Sequence, residues 1–298
     1  MDGPVGGRPV REVVADAVRR LADAEVDSPD HDVRTLLAHV VGVQRSRLPL
    51  IESVTDDQAA ALEALVARRV AREPLQHLTG IAHFRHVELR VGPGVFVPRP
   101  ETELLAGWAV EQAAAAETPV VVDLGTGSGA LAKAIAHEVP GARVHAVELD
   151  DGAHAWAARN LAGTGVDLRH GDLAEAFPDL AGTVDVVVSN PPYIPHEAWE
   201  SVAVEVRDHD PGLALFATGD GLDVIRVVER RAALLLRPGG VVGVEHADVQ
   251  GISAPAVFGR AGRWAQVRDH DDLAGRARFL TARLAPVSDA RDRDGPHV

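Results

Sequence analysis

Short segments rich in valine alternate with segments of helical periodicity from about residue 101 to residue 261. This alternation constrains the fold more than any other feature of the chain. Buried parallel strands are short and apolar, and each is joined to the next by a helix. The pattern therefore predicts an α/β fold in which helices cover both faces of a mostly parallel, seven-stranded sheet. The last two β segments have no helix between them, which predicts one antiparallel strand at the edge.

The bounds of these segments follow from the periodicity of apolar residues and from turn residues. The predicted helices are Glu103–Ala116, Ala130–Glu138, Gly152–Leu161, Gly221–Leu236 and Val249–Ala261. The predicted strands are Val120–Leu124, Arg143–Leu149, Val166–His170, Val184–Ser189, Val241–Glu245, Trp264–Asp269 and Ala277–Leu284. Since parallel strands point the same way, residues that follow them lie along one edge of the sheet, where open α/β folds bind ligands.

The first hundred residues have a different pattern. Residues 1–72 form a predicted helical domain whose first ten residues, rich in glycine and proline, are expected to be disordered. Thr55 or Asp56 could cap the last helix of this bundle. Residues 73–100 alternate as a β-hairpin linker does, residues 101–285 form the α/β domain, and the charged tail 286–298 is expected to be disordered.

The amino-acid composition argues against several classes of function. The net charge of −14 argues against direct nucleic-acid binding, and it suits a small ligand together with a protein partner that carries basic patches. The absence of cysteine excludes disulfides and thiolate chemistry. The 14 histidines show no metal-ligand spacing, so no metal is expected. No apolar run reaches the roughly 18 residues of a membrane span, and no signal-peptide pattern is visible, which together predict a cytoplasmic location.

The tetrapeptide Asn190-Pro191-Pro192-Tyr193 follows directly on a valine-rich strand. Its two prolines end that strand and hold the backbone after Asn190 rigid at the carboxyl edge of the sheet. An Asn side chain and main-chain carbonyls held there can accept two N–H bonds from a planar amide or an exocyclic amine, and can present that nitrogen to an electrophile. As a structural alternative, the two prolines only stiffen the chain where it leaves the strand, and the tyrosine is simply buried.

Three other strands end in residues suited to a ribose-containing ligand. The first runs into Gly125-Thr126-Gly127-Ser128-Gly129, whose glycines permit a tight turn and a close ligand approach before a helix. Glu148 ends the second strand, where it can accept both ribose hydroxyls, and Asp172 follows the third. As alternatives, Glu148 could be a solvated strand-end charge and Asp172 a plain turn aspartate.

These motifs resemble those of the class I S-adenosylmethionine-dependent methyltransferases, and more closely those of the HemK/PrmC family. The similarity rests on DLGTGSG, AVELD, SNPPY and VPRPETELL, and it extends from the helical region through REPLQHLTG to the last strands. It implies a Rossmann-like methyltransferase domain with an N-terminal substrate-recognition domain. The implied reaction transfers a methyl group from S-adenosyl-L-methionine to the side-chain amide nitrogen, N5, of the glutamine in the Gly-Gly-Gln motif of class 1 peptide chain release factors.

The resemblance also implies roles for single residues. The cofactor would contact Gly125, Thr126, Gly127, Ser128, Gly129, Glu148, Asp172, Leu173 and Asn190. Leu173 stands where many relatives carry an aromatic residue, so its contact with the adenine is expected to be apolar. The substrate glutamine would contact Asn190, Pro191, Pro192, Tyr193, Arg99 and Glu101. A helix start with Pro100 at the first position and acids in the first turn explains Glu101 and Glu103 equally well.

The expected catalytic residues are Asn190, Pro191 and Tyr193. The Asn190 oxygen and the Pro191 carbonyl would bind both N–H bonds of the substrate amide and orient its lone pair, while Tyr193 packs against the flat group. Glu245 and His246, which end the fifth strand, resemble an acid–base pair, but a structural role is favoured for both.

Three other functions stay open. A methyltransferase for glutamine in a ribosomal protein would differ only in its substrate. An adenine-N6 nucleic-acid methyltransferase would share the tetrapeptide, but it needs a basic groove that this acidic chain does not offer. A non-catalytic nucleotide-binding scaffold would not require Asn190. The protein is expected to be a monomer.

Overall fold

The computed structural model describes residues 7–195, 204–217 and 219–286, and the contacts among them define two units. The first unit comprises residues 7–81, 91–93 and 204–210, and the second comprises the other described residues. Residues 1–6 and 287–298, both within segments predicted to be disordered, lie outside the described residues.

The elements are numbered in chain order. The helices are α1 (Val10–Asp23), α2 (Pro29–Val41), α3 (Asp56–Val70), α4 (Leu75–Thr79), α5 (Thr102–Ala113), α6 (Ala130–Glu138), α7 (Asp151–Leu161), α8 (Val204–His209), α9 (Gly212–Leu215), α10 (Asp223–Leu235) and α11 (Ser253–Arg260). The strands are β1 (Arg8–Pro9), β2 (Ser53–Val54), β3 (Ile81–Phe84), β4 (Val87–Arg90), β5 (Val120–Leu124), β6 (Arg143–Glu148), β7 (Asp167–His170), β8 (Val184–Ser189), β9 (Ile194–Pro195), β10 (Phe216–Ala217), β11 (Leu236–Glu245), β12 (Trp264–Asp271) and β13 (Ala277–Leu284).

The first unit contains the predicted helical bundle. Helices α1, α2 and α3 bury apolar residues at three- and four-residue steps, among them Leu21, Leu36 and Leu62. Thr55, not Asp56, caps α3: its hydroxyl accepts from the Gln58 amide nitrogen at 3.1 Å, and the Gln58 side chain accepts from the Thr55 nitrogen at 3.0 Å. The unit extends past residue 72 and also includes α4 and α8.

Residues 8–10 are ordered, which corrects the disorder predicted for residues 1–10. Strand β1 pairs antiparallel with β2, and the amide nitrogen of Val10 donates to the Glu52 carbonyl at 3.0 Å. Main-chain hydrogen bonds to a segment more than forty positions away hold these residues, and composition alone does not reveal such a partner.

A buried charge cluster lies inside the first unit. Arg69 Nε donates to Asp32 Oδ2 at 2.8 Å, and both side chains are 9% exposed. Arg69 and Arg72 also contact the Glu205 carboxylate of α8, at 3.3 and 2.7 Å. Because a buried charge without a partner is costly, removing one member of this cluster leaves the others unsatisfied.

The second unit is built on the predicted seven-stranded sheet, with strand order β12-β13-β11-β8-β5-β6-β7. Strands β5, β6, β7, β8 and β11 are parallel, and β13 is antiparallel to both of its neighbours. The antiparallel strand is confirmed, but it lies second from the edge. The reason is that β13, and not β12, pairs with β11 after the tight turn that joins the two strands.

Several element bounds in this unit differ from the prediction. Helix α5 begins at Thr102, since a tight turn in which Thr102 N donates to the Arg99 carbonyl precedes it and leaves Pro100 outside the helix. Helix α11 begins only at Ser253, because the Gln250 side chain accepts from Ala247 N at 3.0 Å and closes a separate 3-10 turn. Strand β11 starts at Leu236 and contains a register shift before Val241.

The predicted β-hairpin is confirmed as β3 and β4. Within residues 7–195, 204–217 and 219–286, no helix is both long and apolar enough to cross a membrane. The same residues contain no group of three or more side chains that could hold a metal ion.

Candidate active site

The glycine segment after β5 forms a sharp loop that leads into α6. Gly125, Gly127 and Gly129 have φ values of 75°, 58° and 86°, a region that favours glycine over residues with a side chain. The amide nitrogens of Gly125 and Thr126 both donate to the Val147 carbonyl of β6, at 3.0 and 2.9 Å. A Cβ at Gly127 would meet no atom within 4 Å, so this part of the loop is open to an approaching ligand.

Asp123 lies buried beneath that loop, at the end of β5. Its Oδ2 accepts from the Thr126 hydroxyl at 2.5 Å and from the Ala132 amide nitrogen at 3.2 Å, which ties the strand, the loop and α6 together. Its Oδ1 is buried without a hydrogen-bond partner. Burial raises the pKa of Asp123 to about 7, and the two hydrogen bonds to Oδ2 oppose that rise. This role of Asp123 was not predicted from the sequence.

Glu148 ends β6 beside the loop, as predicted. Its Oε2 accepts from the Gly127 amide nitrogen at 2.7 Å, and its Oε1 accepts from Leu149 N and Asp150 N, both at 2.9 Å. A carboxylate has about four acceptor positions. Three of these positions therefore accept main-chain N–H groups, and one stays available. Glu148 thus helps to hold the glycine loop in place and is not simply a solvated strand-end charge.

Asp172 and Leu173 follow β7 on the far side of Glu148. The exposed Asp172 accepts from the Ala174 amide nitrogen at 2.8 Å, which is the turn role that the sequence left open. Leu173 is half-buried, packs on the core of the sheet, and would lie 3.8 Å from a Cβ at Gly125. The structure thus places an apolar side chain, and no aromatic ring, against the glycine loop at this position.

The tetrapeptide lies at the end of β8, next to the loop. In the parallel pairing of β8 with β5, Val188 is opposite Asp123, so Asn190 and Gly125 each stand two residues beyond a paired position. The Ser189 hydroxyl donates to the Leu124 carbonyl at 2.6 Å and joins the two strand ends. The amide of Asn190 and the glycine loop therefore meet at one edge of the sheet, as the sequence predicted.

Hydrogen bonds fix the two ends of the tetrapeptide. Asn190 Nδ2 donates to the buried Thr102 hydroxyl at 3.3 Å. The Tyr193 hydroxyl donates to Glu245 Oε1 at 3.3 Å, and Gln250 Nε2 donates to the Tyr193 carbonyl, also at 3.3 Å. Tyr193 is therefore a hydrogen-bond donor through its hydroxyl and an acceptor through its carbonyl.

Glu245 lies at the centre of this arrangement. It is 1% exposed, and burial raises its pKa to about 7, while hydrogen bonds from Thr102 and Tyr193 and the charge of Arg278 oppose the rise. Burial also raises the pKa of Tyr193 well above its ordinary value, and the Glu245 charge adds to that effect. The hydroxyl of Tyr193 therefore keeps its proton.

Arg99 lies near Tyr193, and Glu101 lies near Glu245. The Arg99 guanidinium lies over the Phe96 ring at 4.9 Å, and its charge lowers the pKa of Tyr193 slightly against the larger effect of burial. Glu101 immediately precedes α5 and makes no side-chain cap. Glu103 instead binds the β3–β4 hairpin, because its Oε1 accepts from the Arg85 amide nitrogen at 3.0 Å.

His246 does not form an acid–base pair with Glu245. Its Nε2 lies 2.8 Å from Asp269 Oδ1 and its Nδ1 lies 2.9 Å from the Ala247 carbonyl, so both ring nitrogens are engaged elsewhere. This geometry agrees with the structural role that the sequence favoured for His246.

Thr102, Asp123 and Gln250 are parts of this site that the sequence did not predict. The acidic residue two positions before the glycine loop was a visible signal for Asp123. Thr102 is part of VPRPETELL, but its partner Asn190 lies 88 positions away, and no local pattern indicates that contact.

Two family models match the chain: one described as the PrmC N-terminal domain matches residues 12–80, and one described as a methyltransferase domain matches residues 121–209. The catalytic domain of hMettl16 is a structural neighbour with a TM-score of 0.53 and 14% identity, covering 78% of this chain and 83% of that one. A likeness at such low identity shows the fold alone.

Curated relatives are much closer in sequence. A 4-amino-L-phenylalanine/4-methylamino-L-phenylalanine methyltransferase of Streptomyces pristinaespiralis is 48% identical over 67% of this chain and 70% of its own length. A release factor glutamine methyltransferase of Streptomyces coelicolor is 58% identical over 274 residues, which are 91% of this chain and 97% of that protein. The chain belongs to the family of release factor glutamine methyltransferases.

Proposed function

We propose that this protein methylates the N5 side-chain amide nitrogen of the glutamine in the Gly-Gly-Gln motif of class 1 peptide chain release factors, with S-adenosyl-L-methionine as methyl donor. Family membership supports the reaction and the donor. The observation that carries the proposal is the position of Asn190, whose amide lies at the strand end next to the glycine loop and is anchored by Thr102.

The residues around the loop fit the proposed donor. The open face of Gly127 allows a close approach, the free acceptor position of Glu148 suits a ribose hydroxyl, and Leu173 offers an apolar surface for an adenine. A second ribose hydroxyl would have to share Glu148 with one of the main-chain N–H groups that it already accepts. Gly125, Thr126, Ser128, Gly129 and Asp172 complete the proposed cofactor site.

Bound S-adenosyl-L-methionine supplies an electrophilic methyl group on a sulfonium. The amide nitrogen of glutamine is a poor nucleophile because its lone pair is delocalised into the carbonyl. Asn190 Oδ1 and the Pro191 carbonyl would accept its two N–H bonds, hold the lone pair in line and stabilise the positive charge that develops on nitrogen. That positive charge makes the nitrogen acidic, so it loses its proton after the transfer and no strong base is needed beforehand.

The other proposed substrate contacts surround Asn190. Tyr193, fixed at its hydroxyl and its carbonyl, would pack on the flat amide, and Pro192 would keep the backbone between them rigid. Arg99 and Glu101 would contact the substrate at the mouth of the site. A cytoplasmic location, a monomeric state and the absence of a nucleic-acid partner stay predictions.

The proposal is tested by incubating the full-length protein with labelled S-adenosyl-L-methionine and intact release factor. We expect one methyl group on the factor, and none on a matched factor whose Gly-Gly-Gln glutamine is replaced by asparagine. Parallel incubations would contain a ribosomal protein fraction, adenine-containing DNA and 4-amino-L-phenylalanine, the last because a relative is named for it. Transfer to one of these acceptors, with the release factor left unmodified, would contradict the proposed substrate.

A further inference from the structure

A buried side-chain amide joins the glycine loop to the β3–β4 hairpin. Asn160, in the last turn of α7, is 4% exposed. Its Nδ2 donates to the Ser128 carbonyl of the loop at 2.8 Å and to the Arg90 carbonyl of β4 at 2.9 Å. Its Oδ1 accepts from the Arg90 amide nitrogen at 2.7 Å. One side chain therefore holds two main-chain segments that lie 32 and 70 positions away from it in the sequence.

The three hydrogen bonds determine how the Asn160 amide is oriented. Its NH2 group has two hydrogens, and each is donated to a different carbonyl, while its oxygen accepts from an N–H group. A reversed amide would set its oxygen against two carbonyls and its NH2 group against an N–H group. A carboxylate of the same shape has no hydrogen for either carbonyl. This position therefore requires an amide because of its hydrogen bonds, and not only because of its size.

The end of α7 also packs closely on the loop. A Cβ at Gly129 would lie 3.1 Å from Leu161 Cγ, which is closer than carbon atoms normally pack, and Gly129 has a φ of 86°. Both the close approach and the backbone conformation favour glycine at this position. Asn160 and Leu161 thus hold α7 against the second half of the glycine loop.

Glu148 and Asn160 fix the loop on either side of one peptide group. Glu148 Oε2 accepts from the Gly127 amide nitrogen, and Asn160 Nδ2 donates to the Ser128 carbonyl. The planar peptide group that joins Gly127 to Ser128 therefore lies between two anchored ones. Because glycine allows many backbone conformations, a loop ordered only on ligand binding would bind more weakly than one ordered beforehand. The two side chains supply that prior order.

We infer that Asn160 is a positioning residue of the cofactor site. Through the Ser128 carbonyl it holds the glycine loop in the conformation that binds S-adenosyl-L-methionine. The inference rests on the proposed function, which places the cofactor on this loop. Asn160 acts on the affinity for the cofactor, whereas the methyl transfer itself depends on Asn190.

Asn160→Asp tests this role with almost no change in the shape of the side chain. The carboxylate cannot donate to the Ser128 carbonyl, so we expect the KM for S-adenosyl-L-methionine, and the Kd measured by calorimetry, to rise about tenfold or more. At saturating cofactor, kcat should stay within about threefold of the wild type, because the tetrapeptide is untouched. Asn160→Ala removes the same hydrogen bonds without burying a charge, and it should separate KM from kcat in the same way.

Lys133→Met separates the loop from the hairpin. Lys133 Nζ donates to the Glu88 carbonyl of β4 at 2.8 Å, so this substitution loosens the hairpin and leaves the Ser128 contact intact. We expect the Kd for S-adenosyl-L-methionine to stay at the wild-type value. A Kd raised as much as in Asn160→Asp would show that Asn160 acts through the hairpin, and it would overturn the inference.

Glu229→Leu is the control for general stability. Glu229 is 4% exposed, like Asn160, and accepts from Trp264 Nε1 at 2.6 Å on β12, the edge strand on the far side of the sheet from β6 and β7. The substitution should lower the melting temperature while the Kd for S-adenosyl-L-methionine stays unchanged. If the Kd rises in proportion to the loss of stability in this variant too, Asn160 has no specific role at the loop.

The Ser128 carbonyl can be observed directly by NMR, because serine is followed by glycine only at Ser128-Gly129 in this sequence. Protein made by cell-free synthesis with 13C at serine carbonyls and 15N at glycine nitrogens therefore gives a single carbonyl–nitrogen correlation. This signal should move in Asn160→Asp and Asn160→Ala and stay in place in Glu229→Leu. A signal that stays in place in both Asn160 variants would overturn the inference.

Neither calorimetry nor the carbonyl signal needs a methyl acceptor, so failure of the inference and failure of the proposed function are distinguishable. A release factor that the wild-type protein leaves unmethylated would contradict the proposed substrate. Wild-type affinity for S-adenosyl-L-methionine in both Asn160 variants would contradict the positioning role itself.

Discussion

Glu148 Oε2 accepts a hydrogen bond from the amide nitrogen of Gly127, 2.7 Å away, so the acid that ends the second parallel strand also holds the glycine loop of the first. The other carboxylate oxygen accepts from Leu149 N and Asp150 N and fixes the start of α7. The residue proposed to bind the ribose is thus also part of the structure that shapes the loop.

Glu148→Ala should for this reason weaken the binding of S-adenosyl-L-methionine by about 1–3 kcal/mol, the cost of leaving hydroxyl and loop N–H groups unpaired. Isothermal calorimetry measures the effect. Glu111→Ala, an exposed substitution on α5, serves as the control and should bind normally. Unchanged affinity in Glu148→Ala would remove Glu148 from the cofactor site.

Gly127→Ala and Gly163→Ala form a matched pair. Both glycines have positive φ, 58° and 77°, and a Cβ at either position would meet no atom within 4 Å, so the backbone strain should be similar. Only the Gly127 methyl group would occupy the proposed ligand surface. We expect Gly127→Ala to lose at least about tenfold in cofactor affinity, or about 1.4 kcal/mol, and Gly163→Ala to bind as the wild type does. Equal affinities would mean that the ligand does not approach the loop at Gly127.

Asn190→Ala should separate binding from chemistry. We expect turnover to fall by roughly 100-fold or more, as for loss of one positioned group that stabilises a transition state. Cofactor affinity should stay within about tenfold, because the glycine loop and Glu148 are intact. Single-turnover kinetics with intact release factor, together with calorimetry, give both quantities. A fully active Asn190→Ala enzyme would mean that other groups hold the substrate amide.

The raised pKa of Asp123 sets the direction in which the free energy of unfolding changes with pH. Burial raises its folded-state pKa to about 7 from an ordinary value of 3.8, so the folded protein binds the proton more tightly than the unfolded chain does. The resulting stability is complete below about pH 4 and is lost as pH rises through 7, by an amount of the order of 2–4 kcal/mol. Glu245, with its pKa also raised to about 7, contributes in the same direction.

Asp123→Asn should reduce this slope when the free energy of unfolding is measured in urea between pH 4 and pH 8 without cofactor. Asp179→Asn is the control: its carboxylate is exposed, and hydrogen bonding to Arg169 lowers its pKa to about 2, so its contribution lies below the measured range. An unaltered slope in Asp123→Asn would show that Asp123 does not titrate there.

Asp32→Ala tests the helical unit. Removing the partner of Arg69 leaves a buried charge unpaired, which should cost about 3–5 kcal/mol and disrupt the bundle and its hold on α8. If this unit binds the release factor, methylation of the intact factor should fall while S-adenosyl-L-methionine still binds. Asp30→Ala removes only an exposed pair with Arg34 and should leave both properties unchanged. If the bundle of the Asp32→Ala protein is unfolded and the release factor is still fully methylated, the helical unit only stabilises the protein and does not bind the factor.

Much of the site could be predicted because it depends on order along the chain. Alternating strands and helices imply a parallel sheet, and a parallel sheet places the residues after each strand at one edge. Gly127 and Asn190 follow two of these strands, Glu148 ends a third, and the three residues meet for that reason. The sequence alone also provided two restrictions on function. The net charge argued against direct nucleic-acid binding, and the absence of cysteine excluded disulfides and thiolate chemistry.

The tertiary structure decided which way those residues are held. Thr102 meets Asn190 across 88 positions, and Tyr193 meets Glu245 across 52, because α5 packs against β11 where Gly243 leaves room for it. The bond between Arg69 and Asp32, and the pairing of β1 with β2, likewise join distant segments. Local periodicity reports which face of an element is buried, but a hydrogen bond between distant side chains depends on the angle and distance at which whole elements pack, and only the folded chain sets these.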